Sequence, residues 1–80
     1  MNVTLLSASG REQFDVAHIE CMTDEGNLTI LLGHDTALHV LAVQSPIVFH
    51  PLEGSGAVFE RTVERGVIEI NREGVLVVVG

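Results

Sequence analysis

Short apolar runs, separated by turn-forming residues every eight to twelve positions, constrain the fold of this chain more than any other feature. The runs are rich in β-branched and apolar residues and cover positions 2–7, 14–22, 28–32, 47–50, 58–64, 67–70 and 75–79. Turn residues at 9–10, 24–27, 53–56 and 71–74 separate several of them, the last as a hairpin. Two facing sheets bury so many short strands economically, so the pattern predicts an all-β sandwich or barrel.

Two segments have patterns that bear on their secondary structure, one an alternation and the other an ambiguous apolar spacing. Between Phe14 and Met22 the residues alternate, with Ile19 and Cys21 (and Ala17) on one face and His18 and Glu20 on the other. The apolar residues of segment 36–43 would fit one face of a helix. That segment is short and has no capping residue, so we expect a loop that leads into a strand.

Length and charge limit the partners. Eighty residues make one domain, 1–80, whose folding buries only about 60–65% of the unfolded chain's surface. Four arginines, no lysine and eleven acidic residues give a net charge of −7, and neither Trp nor Tyr is present. Such a chain has no basic stripe for phosphates and no base-stacking platform, so we expect no nucleic-acid partner. A basic protein surface would complement it better.

The N-terminal residues, the length of the apolar runs and the single cysteine bear on the cellular environment of the protein. No basic segment precedes an apolar stretch at Met1, so the sequence predicts no signal peptide. The longest apolar runs, such as 75–79, are much shorter than the roughly 20 residues of a bilayer span. The single cysteine excludes an intramolecular disulfide and a multi-cysteine zinc site, which favours a reducing compartment.

No residue pattern predicts catalysis. Cys21 lies on the apolar face of its strand, where a buried, inert thiol is the usual finding. The side chains of His34 and Asp35 diverge because they are adjacent, whereas a catalytic triad places the acid on the far imidazole nitrogen. The glycines match neither a nucleophile elbow nor a phosphate-binding loop. We therefore expect no catalytic residue and no cofactor.

The four histidines raise the question of a metal. His34 and His39 are an odd number of residues apart, so an extended chain places them on opposite faces. His18 and Cys21 are also opposed on a strand. No local motif supports a ligand set, and we predict no metal-binding residue. A site assembled from distant strands stays open.

The stretch EGNLTILLGH, residues 25–34, followed by an apolar segment at 37–41, resembles the N-terminal domain of the ε subunit of F-type ATP synthases. That family carries an acid-Gly-x-Leu-Gly-Ile-x-Pro-Gly-His loop and then an apolar strand. The opening strand at 3–8, Phe14, the segment 64–70 and the closing strand at 75–79 also match, so the resemblance covers nearly the whole chain. The sequence departs from the family at Asn27, Thr29, Leu32 and Arg65, and the family's C-terminal helical hairpin has no counterpart, so we expect no C-terminal helical domain.

The resemblance implies a two-sheet antiparallel β-sandwich of about ten short strands. It also implies a non-catalytic rotor subunit of the central stalk, which couples the γ subunit to the c-ring during proton- or sodium-driven ATP synthesis. Such a subunit is peripheral to the membrane, at its cytoplasmic face, through the complex. The implied c-ring contact is Glu25, Gly26, Asn27 and Leu28. The implied γ-subunit contact is Ser7, His34, Asp35 and His39, while Gly26 and Gly33 serve backbone geometry.

Two other hypotheses belong to different classes of protein. The chain could be a stand-alone small β-barrel that binds a metal or a small molecule through its histidines. It could also be a general interaction module with no link to ATP synthase. Association with a γ subunit and the metal content of the purified protein separate these hypotheses.

Overall fold

The computed structural model of the protein describes all 80 residues, Met1–Gly80, and consists of strands and turns. No helix is present that has the length and apolarity needed to span a bilayer. The prediction of an all-β fold is confirmed, with eight strands instead of about ten. The strands are β1 Asn2–Ser7, β2 Gly10–Thr23, β3 Gly26–Leu31, β4 Ala37–Val40, β5 Ser45–Pro51, β6 Phe59–Val63, β7 Gly66–Asn71 and β8 Gly74–Val79.

Strand β2 is 14 residues long and belongs to two sheets. Its first part, up to Asp15, pairs with β1 in the first sheet, whose order is β4-β7-β8-β1-β2. Its second part pairs with β3 and with β5, and β5 pairs with β6, which completes the second sheet. The neighbouring strands are antiparallel except for β1 and β8, which are parallel.

A β-bulge lies where β2 passes from the first sheet to the second. Val16 pairs with Pro51 and His18 pairs with His50, so Ala17 is an extra residue in β2. Because side chains alternate along a strand, one extra residue reverses which positions face inward. Val16 is buried before the bulge, and Ile19 is buried after it, with His18 turned outward.

The core is one cluster of 14 buried residues to which both sheets contribute. Phe49 of the second sheet is fully buried and is the largest fully buried side chain. Phe14, on the first part of β2, packs edge-to-face on Phe49 with ring centroids 4.8 Å apart, and on Phe59 at 5.3 Å. Phe49 and Phe59 stack at 5.1 Å. This aromatic cluster therefore joins the two sheets, because edge-to-face and offset pairs stabilise beyond the area that they bury.

The segment after β3 forms a strand where the sequence led us to expect a loop. Ala37–Val40 pairs in register with β7, from Ile70 to Val67, so the loop expectation was wrong. A bridge between Leu41 and Thr23 then ties the end of β4 to the end of β2. The sheet consequently curls until its β4 edge meets β2, and these tertiary hydrogen bonds decide the conformation of a segment whose own pattern is ambiguous.

One ion pair closes the rim of the core. The guanidinium of Arg61, on β6, donates to both carboxylate oxygens of Glu12, on β2, at 2.7 and 3.0 Å. Arg61 lies opposite the buried Ile47, and Glu12 lies opposite the buried Leu5. The hydrogen bond from Arg61 lowers the pKa of Glu12, and the hydrogen bond to Glu12 raises the pKa of Arg61.

Removing the Phe49 ring tests the role of the aromatic cluster. We expect Phe49→Ala to lower the free energy of unfolding by about 3–5 kcal/mol, since it deletes a fully buried ring and leaves a cavity between the sheets. Urea denaturation followed by circular dichroism measures this loss. Val58→Ala, at an exposed position, serves as the control with an expected change within about 0.5 kcal/mol. A loss below about 1 kcal/mol for Phe49→Ala would contradict this account of the core.

The Arg61–Glu12 pair has a pH signature. We expect Arg61→Gln to raise the pKa of Glu12 toward its usual range, measured by NMR titration of the Glu12 carboxyl group. Because the folded-state pKa is the lower one, the pair's contribution to stability is present above the ordinary carboxyl pKa and lost as pH falls through the folded-state value. The stability difference between wild type and Arg61→Gln should thus shrink in acid. Arg72→Gln is the matched control, and an unchanged Glu12 titration in Arg61→Gln would disprove the pairing.

Candidate functional site

A row of apolar side chains crosses the outer face of the first sheet. Val40 pairs with Val67, Val67 with Val78, and Val78 with Leu6, so the four residues share one face. We call these four residues the apolar row. Val40 is 51% exposed and Val78 is 39% exposed, while Val67 and Leu6 are half-buried. The row spans about 14 Å at the usual strand spacing.

Further apolar side chains extend this surface. Leu38, two residues before Val40 on the same face of β4, is 65% exposed, and Val43, in the turn after β4, is 70% exposed. Val43 lines a shallow groove together with Val40, Val67 and Val78 of the row. Contiguous exposed apolar surface is typical of binding surfaces, whereas single exposed apolar residues are common on any protein.

The β2–β3 hairpin lies beside one end of the apolar row. The backbone N–H of Asp24 donates to the carbonyl oxygen of Val40 at 3.1 Å. The hairpin is braced from within, because the buried Thr23 hydroxyl donates to the Gly26 carbonyl at 2.9 Å and accepts from the Glu25 N–H at 3.1 Å. Gly26 has φ 123°, which a residue with a Cβ rarely adopts. The turn therefore holds its shape and leaves the carboxylates of Asp24 and Glu25 exposed.

The four residues predicted to contact a γ subunit are not brought together. Ser7 directly follows Leu6 of the apolar row, and its hydroxyl lies 2.9 Å from that of Ser9. His39 pairs with the fully buried Ile68 and so lies on the core side of β4. His34 and Asp35 follow β3, and His34 lies near Met1 and Asn2, at the opposite end of β1 from Ser7. Ser7 and His39 are thus the sequence neighbours of the row residues Leu6 and Val40, while His34 and Asp35 lie away from the row.

His34 lines an open cleft of about 420 Å³. Its walls include Leu31 and Leu32, which are 56% and 82% exposed, and the turn residues Arg72 and Glu73. Gly33, with φ 85°, turns the chain at the rim, in agreement with its predicted role in backbone geometry. His34 is the only histidine of the cleft, so the hypothesis of a small molecule bound by several histidines gains no support there.

Cys21 is buried in the core, as the alternation of its strand predicted. Burial raises the pKa of its thiol to about 11. A thiol with that pKa is protonated at neutral pH, and the thiolate is the nucleophilic form. Cys21 therefore contributes packing to the core.

Three chemically active side chains that sequence reasoning did not combine meet on the outer face of the second sheet. They are His18 and Glu20 on β2 and His50 on β5, and their potential ligand atoms lie within 4.8 Å of one another. The sequence does show His18 and Glu20 on one face of their strand. It does not show that β5 pairs with β2, or that the bulge places His50 opposite His18.

The sequence matches no protein-family model, and no curated protein matches it. Solved structures do match. A chain of the mitochondrial ATP synthase of Euglena gracilis (OSCP/F1/c-ring, rotational state 1) superposes with a TM-score of 0.83 at 24% identity, over 96% of this chain and 48% of that chain. A chain of the Tetrahymena thermophila mitochondrial ATP synthase (central stalk/c-ring) superposes with a TM-score of 0.73 at 21% identity, over 99% and 62%.

These likenesses show a shared fold. The protein has the β-fold of chains found in two F-type ATP synthase assemblies and spans about half to three fifths of the lengths of those chains. The similarity extends over nearly all of the present chain, which agrees with the extent of the sequence resemblance.

Proposed function

We propose that this protein is a non-catalytic rotor subunit of the central stalk of an F-type ATP synthase, which couples the γ subunit to the c-ring during ion-driven ATP synthesis. The observation that carries the proposal is the apolar row, Leu6-Val78-Val67-Val40, on the outer face of a fold shared with chains of two ATP synthase assemblies. The subunit is peripheral to the membrane through the complex, at the cytoplasmic face.

The apolar row fits the task of binding γ. Its side chains come from four adjacent strands, so the surface is continuous and held in place by backbone ladders. Burial of Val40, Val78 and the neighbouring Leu38 against a partner removes exposed apolar area from water, which is the main favourable term in association. Little conformational entropy is lost because the strands are already fixed. We therefore assign the row as the centre of the γ contact, with Ser7 beside it.

The braced hairpin fits the task of contacting the c-ring. Glu25, Gly26, Asn27 and Leu28 form the end of its turn and the start of β3, and Glu25 together with the preceding Asp24 gives the turn two exposed carboxylates. These charges, within a net charge of −7, complement basic polar loops such as those that c subunits present. The Thr23 brace keeps the tip from bending under load.

A rotor subunit transmits torque, so it needs a stiff body more than a reactive site. The aromatic cluster joins the two sheets, and the Thr23–Leu41 bridge closes the curl between β2 and β4. The hairpin and the apolar row meet at the hydrogen bond between Asp24 and Val40. A force applied at the tip therefore reaches the γ-binding face through hydrogen-bonded backbone.

The γ contact can be tested with charge substitutions. We expect the wild-type chain to co-elute with its cognate γ subunit in size-exclusion chromatography after co-expression. Val40→Glu and Val78→Glu should each weaken binding at least about tenfold by isothermal titration calorimetry, because each places a charge in the centre of an apolar interface. Val58→Glu is the matched control, since Val58 is exposed to a similar extent as Val40 and more than Val78 but lies outside the row.

Folding controls and two possible results determine whether the proposal is refuted. Each variant is first shown to keep the wild-type circular dichroism spectrum and unfolding midpoint. A folded wild-type chain that does not co-elute with γ would refute the stalk function. Binding that is unaffected by Val40→Glu and Val78→Glu would refute the apolar row as the contact.

A further inference from the structure

The bulge in β2 creates the cluster of His18, Glu20 and His50. Had β2 run regularly through Ala17, with no bulge, His18 would share the inward face of Val16. The bulge turns His18 outward instead, directly opposite His50 on β5, and Glu20 follows two residues later on the same face. Bulges commonly serve to re-aim a side chain in this way.

The two imidazole rings are close and nearly parallel. The His18 and His50 centroids are 3.9 Å apart and the ring planes differ by 14°. Nε2 of His50 lies 3.1 Å from a carboxylate oxygen of Glu20. The two atoms are not oriented for a hydrogen bond, and this nitrogen is buried without a hydrogen-bond partner. A buried polar atom without a partner costs free energy, and a bound cation would remove that cost.

The donor set identifies the class of cation. Two imidazole nitrogens and one carboxylate form a three-ligand set typical of Zn²⁺ sites that keep an open position. The alkaline-earth ions Mg²⁺ and Ca²⁺ are hard cations that prefer all-oxygen ligands, so they fit this set poorly.

The ligand atoms are close, but the two imidazole rings are stacked nearly parallel, so one ring must rotate about its side-chain bonds before both nitrogen lone pairs point at the same ion. Ligands at 2.0–2.1 Å in a tetrahedral site lie roughly 3.3 Å from one another, and the three atoms here are within 4.8 Å. Glu20 is half exposed and free to rotate. β2 is hydrogen-bonded on both edges, to β3 and β5, so the backbone carrying His18 and Glu20 is fixed.

We propose that His18, Glu20 and His50 form a binding site for one divalent transition-metal ion of the zinc class, with water in the fourth position. The site lies on the outer face of the second sheet, whereas the apolar row lies on the first sheet. The proposal therefore does not depend on a role in ATP synthase.

The test uses the full chain without an affinity tag, stripped with EDTA and titrated with zinc chloride by isothermal titration calorimetry. We expect about one Zn²⁺ per chain. His18→Gln, His50→Gln and Glu20→Gln should each weaken the affinity at least tenfold, while His39→Gln and Glu60→Gln should leave it unchanged. Glu20 and Glu60 are both exposed, which makes them matched carboxylates.

A spectroscopic measurement checks the geometry. Co²⁺ bound to the wild-type chain should give the visible absorption of a tetrahedral site, and Glu20→Gln should change that spectrum. A wild-type chain that binds zinc no more tightly than His50→Gln or Glu20→Gln would overturn the proposal. The half-exposed position of Glu20 keeps this test valid even if a histidine variant folds poorly.

Discussion

The single extra residue in β2 is the constraint on which the rest of the structure depends. By reversing the inward face between Val16 and Ile19, the bulge allows one strand to supply core residues to both sheets. Val16 before it and Cys21 after it belong to the same buried cluster, and Phe14 packs against that cluster. In a strand without the bulge, Ile19 and Cys21 would face outward. The second sheet would then lose the side chains that β2, which lies between β3 and β5, contributes to the core.

The surfaces follow from this arrangement. Alternate residues of each strand face the core, so the remaining residues of the first sheet lie on its outer face. On four adjacent strands, β1, β8, β7 and β4, the outward residues in register are apolar and form the apolar row. The second sheet carries histidines and a glutamate on its outer face instead. The two faces therefore differ in chemistry, one suited to an apolar protein partner and the other to a cation.

Local patterns in the sequence predicted the all-β class, the turn at Asp24–Glu25, the hairpin at Asn71–Gly74 and the burial of Cys21. These features depend on alternation and on turn residues, which are visible over short windows. The local pattern of residues 36–43 did not predict β4, because pairing with β7 and the bridge at Leu41 stabilise it and such contacts leave no local signal; only the family resemblance matched residues 37–41 to a strand.

The candidate sites also differ in whether a short stretch of sequence reveals them. The Glu25–Leu28 turn is contiguous in sequence, so its place at a hairpin tip could be predicted. The apolar row and the His18–His50 pair are produced by strand order and register, which an isolated sequence does not specify. The predicted γ residues were chosen by resemblance in sequence, and of them Ser7 and His39 directly neighbour residues of the row in the chain, whereas His34 and Asp35 do not.

Cross-linking from the two proposed contact surfaces within the assembled complex tests the coupling role most directly. A photoreactive amino acid is introduced at Val78 in one variant and at Glu25 in another, and the products are identified by mass spectrometry. The account predicts cross-links from position 78 to the γ subunit and from position 25 to the c subunit. An assembled complex in which neither position cross-links to these subunits would contradict it.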